Sequence, residues 1–354
     1  MSEKFVSREQ VELLRERINL AEKTDASQKL YSYIEYCKHA KILIVGAGGS
    51  YPAAMFAKYC LNYVFYDSIV HTATPQTAIN LIAHGCYDLV IGISFSGKTP
   101  DIYATAVSAL YNECDFILVT GAKEEDVREF YKNDTRVHIV SYYNEKNITG
   151  KERGMISMAS TLIPCIIFDD WGTNKMTIEN LLALSAGEDF VEKLDIALIA
   201  NSIKRCPVIH VFYEWDTYAT ALDIESKFTE SGVANVILHE KKNFSHGRYT
   251  LLYKQDFALL INLVRYSVIS NYRNNYDAAL AEFLQGLPLC EKKDAQYLEI
   301  GTHAVGERQW NIEALTTLPY LITSIGEALD IDISKPLKPF PDAPTKLYNY
   351  KGKF

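Results

Sequence analysis

Short, continuously apolar runs alternate with helical stretches along this chain, and no other feature restricts its fold as much. KILIV (41–45), DLVIGIS (88–94) and DFILVT (115–120) show no polar alternation; RVHIV (136–140) is a further short run, and a weaker one covers Ser68–His71. Strands that are apolar on both faces belong in a parallel sheet covered by helices on both sides. Helical segments fill the gaps, one beginning at Pro52 and one ending near Tyr111. After a helical region over 156–193, broken near Trp171-Gly172, the rhythm restarts. Strands are expected at Pro207–Tyr213, Val233–His239, Asp256–Leu263 and, weakly, Tyr297–Ile300, with helices at Thr217–Ser231, Asn271–Leu284 and Glu313–Leu329. The fold class is α/β, with one architectural unit used twice. The expected division is an N-terminal helix in 1–36, a first domain in 37–172, a helical linker in 173–200, a second domain in 201–330 and a Pro-rich tail in 331–354.

A net charge of −8 without a Lys/Arg cluster makes nucleic acid an unsuitable partner. No apolar run approaches the ~18 residues of a membrane span, and the charged N-terminus lacks the apolar core of a signal peptide. Seven cysteines, odd in number and without any CxxC pair, read as reduced thiols in a cytoplasmic protein. Asn147-Ile148-Thr149 is then an unused glycosylation pattern. No HExxH, paired-histidine or CxxC constellation occurs, which agrees with a chemistry that uses neither a metal nor an organic cofactor.

Ligands of an open parallel sheet sit beyond the carboxyl ends of its strands. Two loops there are informative: Gly46-Ala47-Gly48-Gly49-Ser50-Tyr51 after the first strand, and Ser94-Phe95-Ser96-Gly97-Lys98-Thr99 after the third. Both run into helix N-termini, where free N–H groups and the helix dipole favour an anion. Three hydroxyls in six residues suit a phosphate. A dinucleotide fingerprint fails, because Tyr51 stands where its third glycine belongs, and the Walker A spacing is absent. The competing readings are a ligand-free turn for the first loop and, for the second, a helix start capped by Ser96 or Thr99.

GGSY, SxSGxT, and a helix ending in Glu before a loop His-Gly together resemble the sugar isomerase (SIS) domain family. Two tandem SIS-type units, each three-layered α/β/α and flavodoxin-like, resemble the isomerase half of glucosamine-6-phosphate synthase and the fructosamine-6-phosphate deglycases. The resemblance implies that Gly49, Ser50, Ser94, Ser96 and Thr99, with the Phe95 N–H, hold the phosphate of a phosphosugar. It also implies that Ser157, in Glu152-Arg153-Gly154-Met155-Ile156-Ser157, touches sugar hydroxyls; the alternative for Ser157 is a helix cap. Glu230 precedes His246 by sixteen residues, the family's spacing for the catalytic pair. By resemblance, the Glu moves a proton between C1 and C2 of the open-chain sugar and the His assists ring opening. Placed before Gly232, Glu230 meets the negative end of a helix dipole, which raises a carboxyl pKa toward that of a working base. An imidazole relays a hydroxyl proton near neutral pH. The alternatives are a solvated helix-end carboxylate or Glu225 as base, and a loop-capping His246.

The chain also departs from the family's pattern. His246-Gly247-Arg248 replaces the usual His-Gly-Pro or His-Asn-Glu, and Lys98 stands where the synthases carry an acid. The second unit's Tyr213-Glu214-Trp215-Asp216 loop is acidic and lacks the family's arginine and glycines, so one phosphosugar site per chain is expected, in the first unit. Lys335, Lys338 and Lys346 are weak counterparts of the synthases' tail lysine. The sequence opens on Met1-Ser2 and goes directly to a helix, without the synthases' glutaminase cysteine, so isomerisation, deamination or deglycation is expected. The resemblance further implies a homodimer in which a neighbouring subunit lends the loop His. A non-catalytic phosphosugar sensor is the rival reading, and a nicotinamide-dependent oxidoreductase the next.

Overall fold

The computed structural model describes residues 5–21, 24–35, 41–85, 87–143, 158–169, 185–254, 258–265, 271–287, 295–302, 304 and 306–334. Two compact units emerge. One takes in Leu13–Arg153 and the other Met176–Lys335 together with the N-terminal segment to Glu12.

The first unit contains five parallel strands: β1 (Lys41–Val45), β2 (Ile69–Ala73), β3 (Leu89–Ile93), β4 (Asp115–Thr120) and β5 (Val137–Ser141), in the order β2-β1-β3-β4-β5. Both faces of the central strands are covered. Leu43, Val45, Val90, Phe116 and Leu118 pack with Ala106 and Ala109 of the Pro100–Tyr111 helix on one side, all of them buried. This is why the strands read as unbroken apolar runs. The order in which strands are added reverses between β1 and β3, which run parallel. There the connections leave toward opposite edges and open a crevice beyond the carboxyl ends.

In the second unit, β6 (Val208–Tyr213), β7 (Asn235–Glu240), β8 (Ala258–Val264) and β9 (Ala295–Gly301) form a parallel sheet ordered β7-β6-β8-β9. Its reversal falls between β6 and β8. Both sheets are flanked by helices, as the α/β reading required.

Where one N-terminal helix was expected there are three: Val6–Glu12, Leu14–Ala21 and Ala26–Glu35. The last restarts where the Thr24 hydroxyl accepts the Ala26 N–H at 3.4 Å. Val6–Glu12 packs on Glu307–Ala328, with Arg8 paired to Glu327 and Asp332 accepting the Val6 N–H at 3.0 Å. That last long helix begins six residues before the expected start, because Trp310 and Asn311 are already fully buried in its first turns. The expected helix break at Trp171-Gly172 lies outside the described residues, as do Asn147 and Cys37, Cys86 and Cys290. Cys60, Cys114, Cys165 and Cys206 are in no disulfide. Among the described residues no helix is long and apolar enough to cross a membrane.

A buried imidazole pair ties β6 to β7. His210 Nδ1 and His239 Nε2 are 2.9 Å apart, and His239 stacks between His210 and Phe212. Burial, then the nearby His210 and Arg248, push the His239 pKa down to about 4. The fold therefore prefers neutral His239, while the unfolded chain binds its proton near pH 6.5. This contribution to stability is complete above pH ~6.5 and is lost as pH falls from there through about 4. It amounts to on the order of 3 kcal/mol. His239→Gln is expected to flatten the stability loss over that window in urea titrations. A slope identical to wild type contradicts the assignment.

Candidate active site

The two glycine- and serine-bearing loops leave β1 and β3, which are paired neighbours about 4.8 Å apart. They flank the point where the strand order reverses. A Cβ on Gly46 would lie 2.4 Å from the Ser50 carbonyl oxygen, so the turn out of β1 closes at a distance only glycine allows. Ser50 and Tyr51 N–H donate back to Ala47 and Gly48 carbonyls (3.0 and 2.9 Å). Among the described residues, the N–H groups of Ala47, Gly48 and Gly49 have no backbone acceptor. The 15-residue helix Ser50–Val64 starts there with no side-chain cap.

The second loop is built the same way. Gly97 has φ +62°, which turns the chain into the Pro100–Tyr111 helix. Thr99 occupies the N-cap position, yet its hydroxyl does not cap the helix. It lies 2.9 Å from the buried Ser94 Oγ instead. Two hydroxyls sharing one hydrogen bond leave a proton over for a ligand. Ser96 Oγ accepts the Lys98 N–H at 3.2 Å. Phe95 C=O accepts from Gly121 N–H (3.1 Å) and Thr120 Oγ1 (3.2 Å), which anchors the loop to the end of β4. Within a planar trans peptide the C=O and the following N–H point in opposite directions. Fixing the Phe95 carbonyl therefore turns the Ser96 N–H away from the anchor. The N–H groups of Phe95, Ser96 and Thr99 have no backbone acceptor among the described residues.

A third element closes on the glycine loop. Thr161, in the Ala159–Asp169 helix, donates its hydroxyl to Gly49 C=O at 2.6 Å. A Cβ built on Gly49 would sit 3.7 Å from Ser160 Oγ. Ser157, the expected sugar contact, lies outside the described residues; Ser160 and Thr161 are the hydroxyls the structure places beside Gly49. Sequence reasoning passed over them, although Ser160-Thr161 at a helix start was a visible signal.

In the second unit, Glu230 ends the helix Tyr218–Glu230, and its carboxylate accepts from Ser226 Oγ at 3.0 Å. Its pKa is raised. Protein crowding the carboxyl, although the residue's rim is exposed, is the main cause, opposed by Ser226 and Lys227 and supported by Asp223 and Glu225. Asp223, Lys227 and Glu230 fall at i, i+4 and i+7, on one helix face. Asp223 and Lys227 form a buried ion pair there, which the sequence analysis missed despite that spacing. His246 is exposed, in the turn after Lys241–Phe244, its N–H donating to Asn243 C=O at 3.1 Å. Glu230 precedes the amino end of β7 and His246 follows its carboxyl end. The six residues of β7, about 20 Å of strand, lie between the two positions in the chain.

The second unit's own reversal point is filled. Arg265, just past β8, donates from Nε (2.7 Å) and Nη2 to Oδ2 of Asp216, just past β6. Asp216 is fully buried, and its carbonyl accepts from Asn311 Nδ2 at 2.6 Å. The acid of this loop is thus neutralised internally rather than facing solvent. Lys335, Lys338 and Lys346 lie outside the described residues, and no cluster of metal-ligating side chains occurs among those described.

A parallel sheet ordered 2-1-3-4-5, with two donor-bearing loops where the strand order reverses, defines a doubly wound α/β domain. Residues 35–149, which carry all five strands of the first unit, match the family model of the SIS domain. The fold of the chain is shared with the C-terminal domain of glucosamine-fructose-6-phosphate aminotransferase from Francisella tularensis (16% identity, TM-score 0.69, 95% of this chain and 99% of that one). It is also shared with glucosamine-6-phosphate deaminase from Thermotoga maritima (13% identity, TM-score 0.65, 94% of this chain and 97% of that one). No curated protein matches the sequence.

Proposed function

We propose that this chain is a phosphosugar-processing enzyme, an aldose–ketose isomerase or an amino-sugar or fructosamine phosphate deaminase or deglycase. The observation that carries the reading is the pair of loops at the β1/β3 crevice, with six N–H groups that lack a backbone acceptor among the described residues and with the Ser94 and Thr99 hydroxyls sharing one hydrogen bond. Gly49, Ser50, Ser94, Phe95, Ser96 and Thr99 hold the phosphate. Ser160 replaces Ser157 as the hydroxyl offered to the sugar. Glu230 is the general base that carries a proton between C1 and C2, and its raised pKa suits that task. His246 relays the ring-opening proton. Because Glu230 and His246 leave opposite ends of β7, the pair is completed by a second copy of the chain, so the working form is a homodimer. The Asp216–Arg265 pair limits phosphate binding to one site per chain.

The test combines thermal shift with NMR in D2O, using fructose-6-phosphate, glucosamine-6-phosphate and fructosamine-6-phosphates. A ligand that binds the native state raises the melting temperature. A shift accompanied by deuterium at C1 or C2 supports the enzyme. A shift without exchange assigns the chain to the sensors. The absence of any shift refutes the phosphate site.

A further inference from the structure

Arg128 lies in the segment that follows β4, among Glu124, Glu125, Asp126 and Glu129. Among the described residues it pairs with none of these acids. Its guanidinium donates instead from Nε (3.3 Å) and Nη2 (2.8 Å) to a neutral acceptor, the backbone carbonyl of Lys98. It also lies over the Tyr103 ring, 4.8 Å from the centroid, on the first turns of the Pro100–Tyr111 helix. A guanidinium held by a π face on one side and a carbonyl at its edge has one orientation. Lys98 C=O and Thr99 N–H belong to the same peptide plane and point in opposite directions. Holding the carbonyl therefore fixes the direction of the Thr99 N–H, which points away from Arg128 and has no backbone acceptor among the described residues. The permanent positive charge behind the peptide also polarises that N–H toward an anion.

We infer that Arg128 is a positioning residue of the phosphate loop, orienting the Lys98–Thr99 peptide so that its N–H meets the phosphate without itself touching the ligand. The inference rests on the phosphate-site reading proposed above. It differs from an ordinary structural role in one respect. Arg128 acts only through the phosphate, so its loss costs the same factor for every phosphate-bearing ligand.

Calorimetry with inorganic phosphate and with fructose-6-phosphate on wild type, Arg128→Met and Arg128→Lys tests this. Arg128→Met keeps the apolar contact with Tyr103 and removes the donors. Its Kd is expected to rise about tenfold for both probes by the same factor. Arg128→Lys, a point donor without the fork, is expected to fall between the two. The Thr99 amide cross-peak is expected to move downfield when phosphate is added to wild type, and to move less in Arg128→Met. Unchanged affinities in Arg128→Met, or a loss seen with fructose-6-phosphate alone, overturn the inference while leaving the site standing. No binding of either probe by wild type overturns the site and the inference together.

Discussion

Glu230→Gln is expected to lower turnover by roughly 10²–10⁴-fold while leaving the phosphosugar-induced rise in melting temperature intact. The amide keeps the shape of the side chain and can still meet the Ser226 hydroxyl, but it cannot accept a carbon-bound proton. The raised carboxyl pKa adds a second signature. The base works ionised, so activity climbs as pH rises through that raised value. The effect has a local cause: water displaced around the carboxyl outweighs the stabilising Ser226 and Lys227, while Asp223 and Glu225 push in the same direction as desolvation. Deuterium exchange at the wild-type rate in Glu230→Gln would dismiss Glu230 as the base and turn attention to Glu225.

Asp216→Ala is expected to destabilise the protein by about 3–5 kcal/mol, the cost of stranding a largely buried Arg265 without its counter-charge. Asp216→Leu combined with Arg265→Met is expected to recover much of that loss, because removing both charges also removes the desolvation penalty of both. Urea unfolding of the single and double variants decides the matter. If Asp216→Ala unfolds at the wild-type midpoint, the pair is not what closes the second unit's crevice.

The strands were legible because burial on both faces leaves an unbroken apolar signature; DFILVT coincides with β4 residue for residue. The two loops at the β1/β3 crevice were legible because hydroxyls and glycines cluster within a few positions of a strand end. Helix boundaries were less so. The start at Glu307 rather than Glu313 depends on Trp310 finding the Val264 carbonyl (2.9 Å), a partner 46 residues away in sequence. Ser160 was overlooked for a similar reason: its proximity to Gly49 is set by how the Ala159–Asp169 helix packs against Ser50–Val64.

The sequence alone determined the α/β class, the double unit, and the two loops suited to an anion, because each depends on local periodicity or on residues close together in the chain. Only the tertiary structure decided that Thr99 bonds Ser94 rather than capping its helix, that Arg265 neutralises Asp216, and that Arg128 grips the loop instead of its acidic neighbours. It also decided that Glu230 and His246, sixteen residues apart in a matching motif, leave opposite ends of one strand. Each of these is a choice between competing partners, and the strand order and packing that bring such partners together are not written in local sequence.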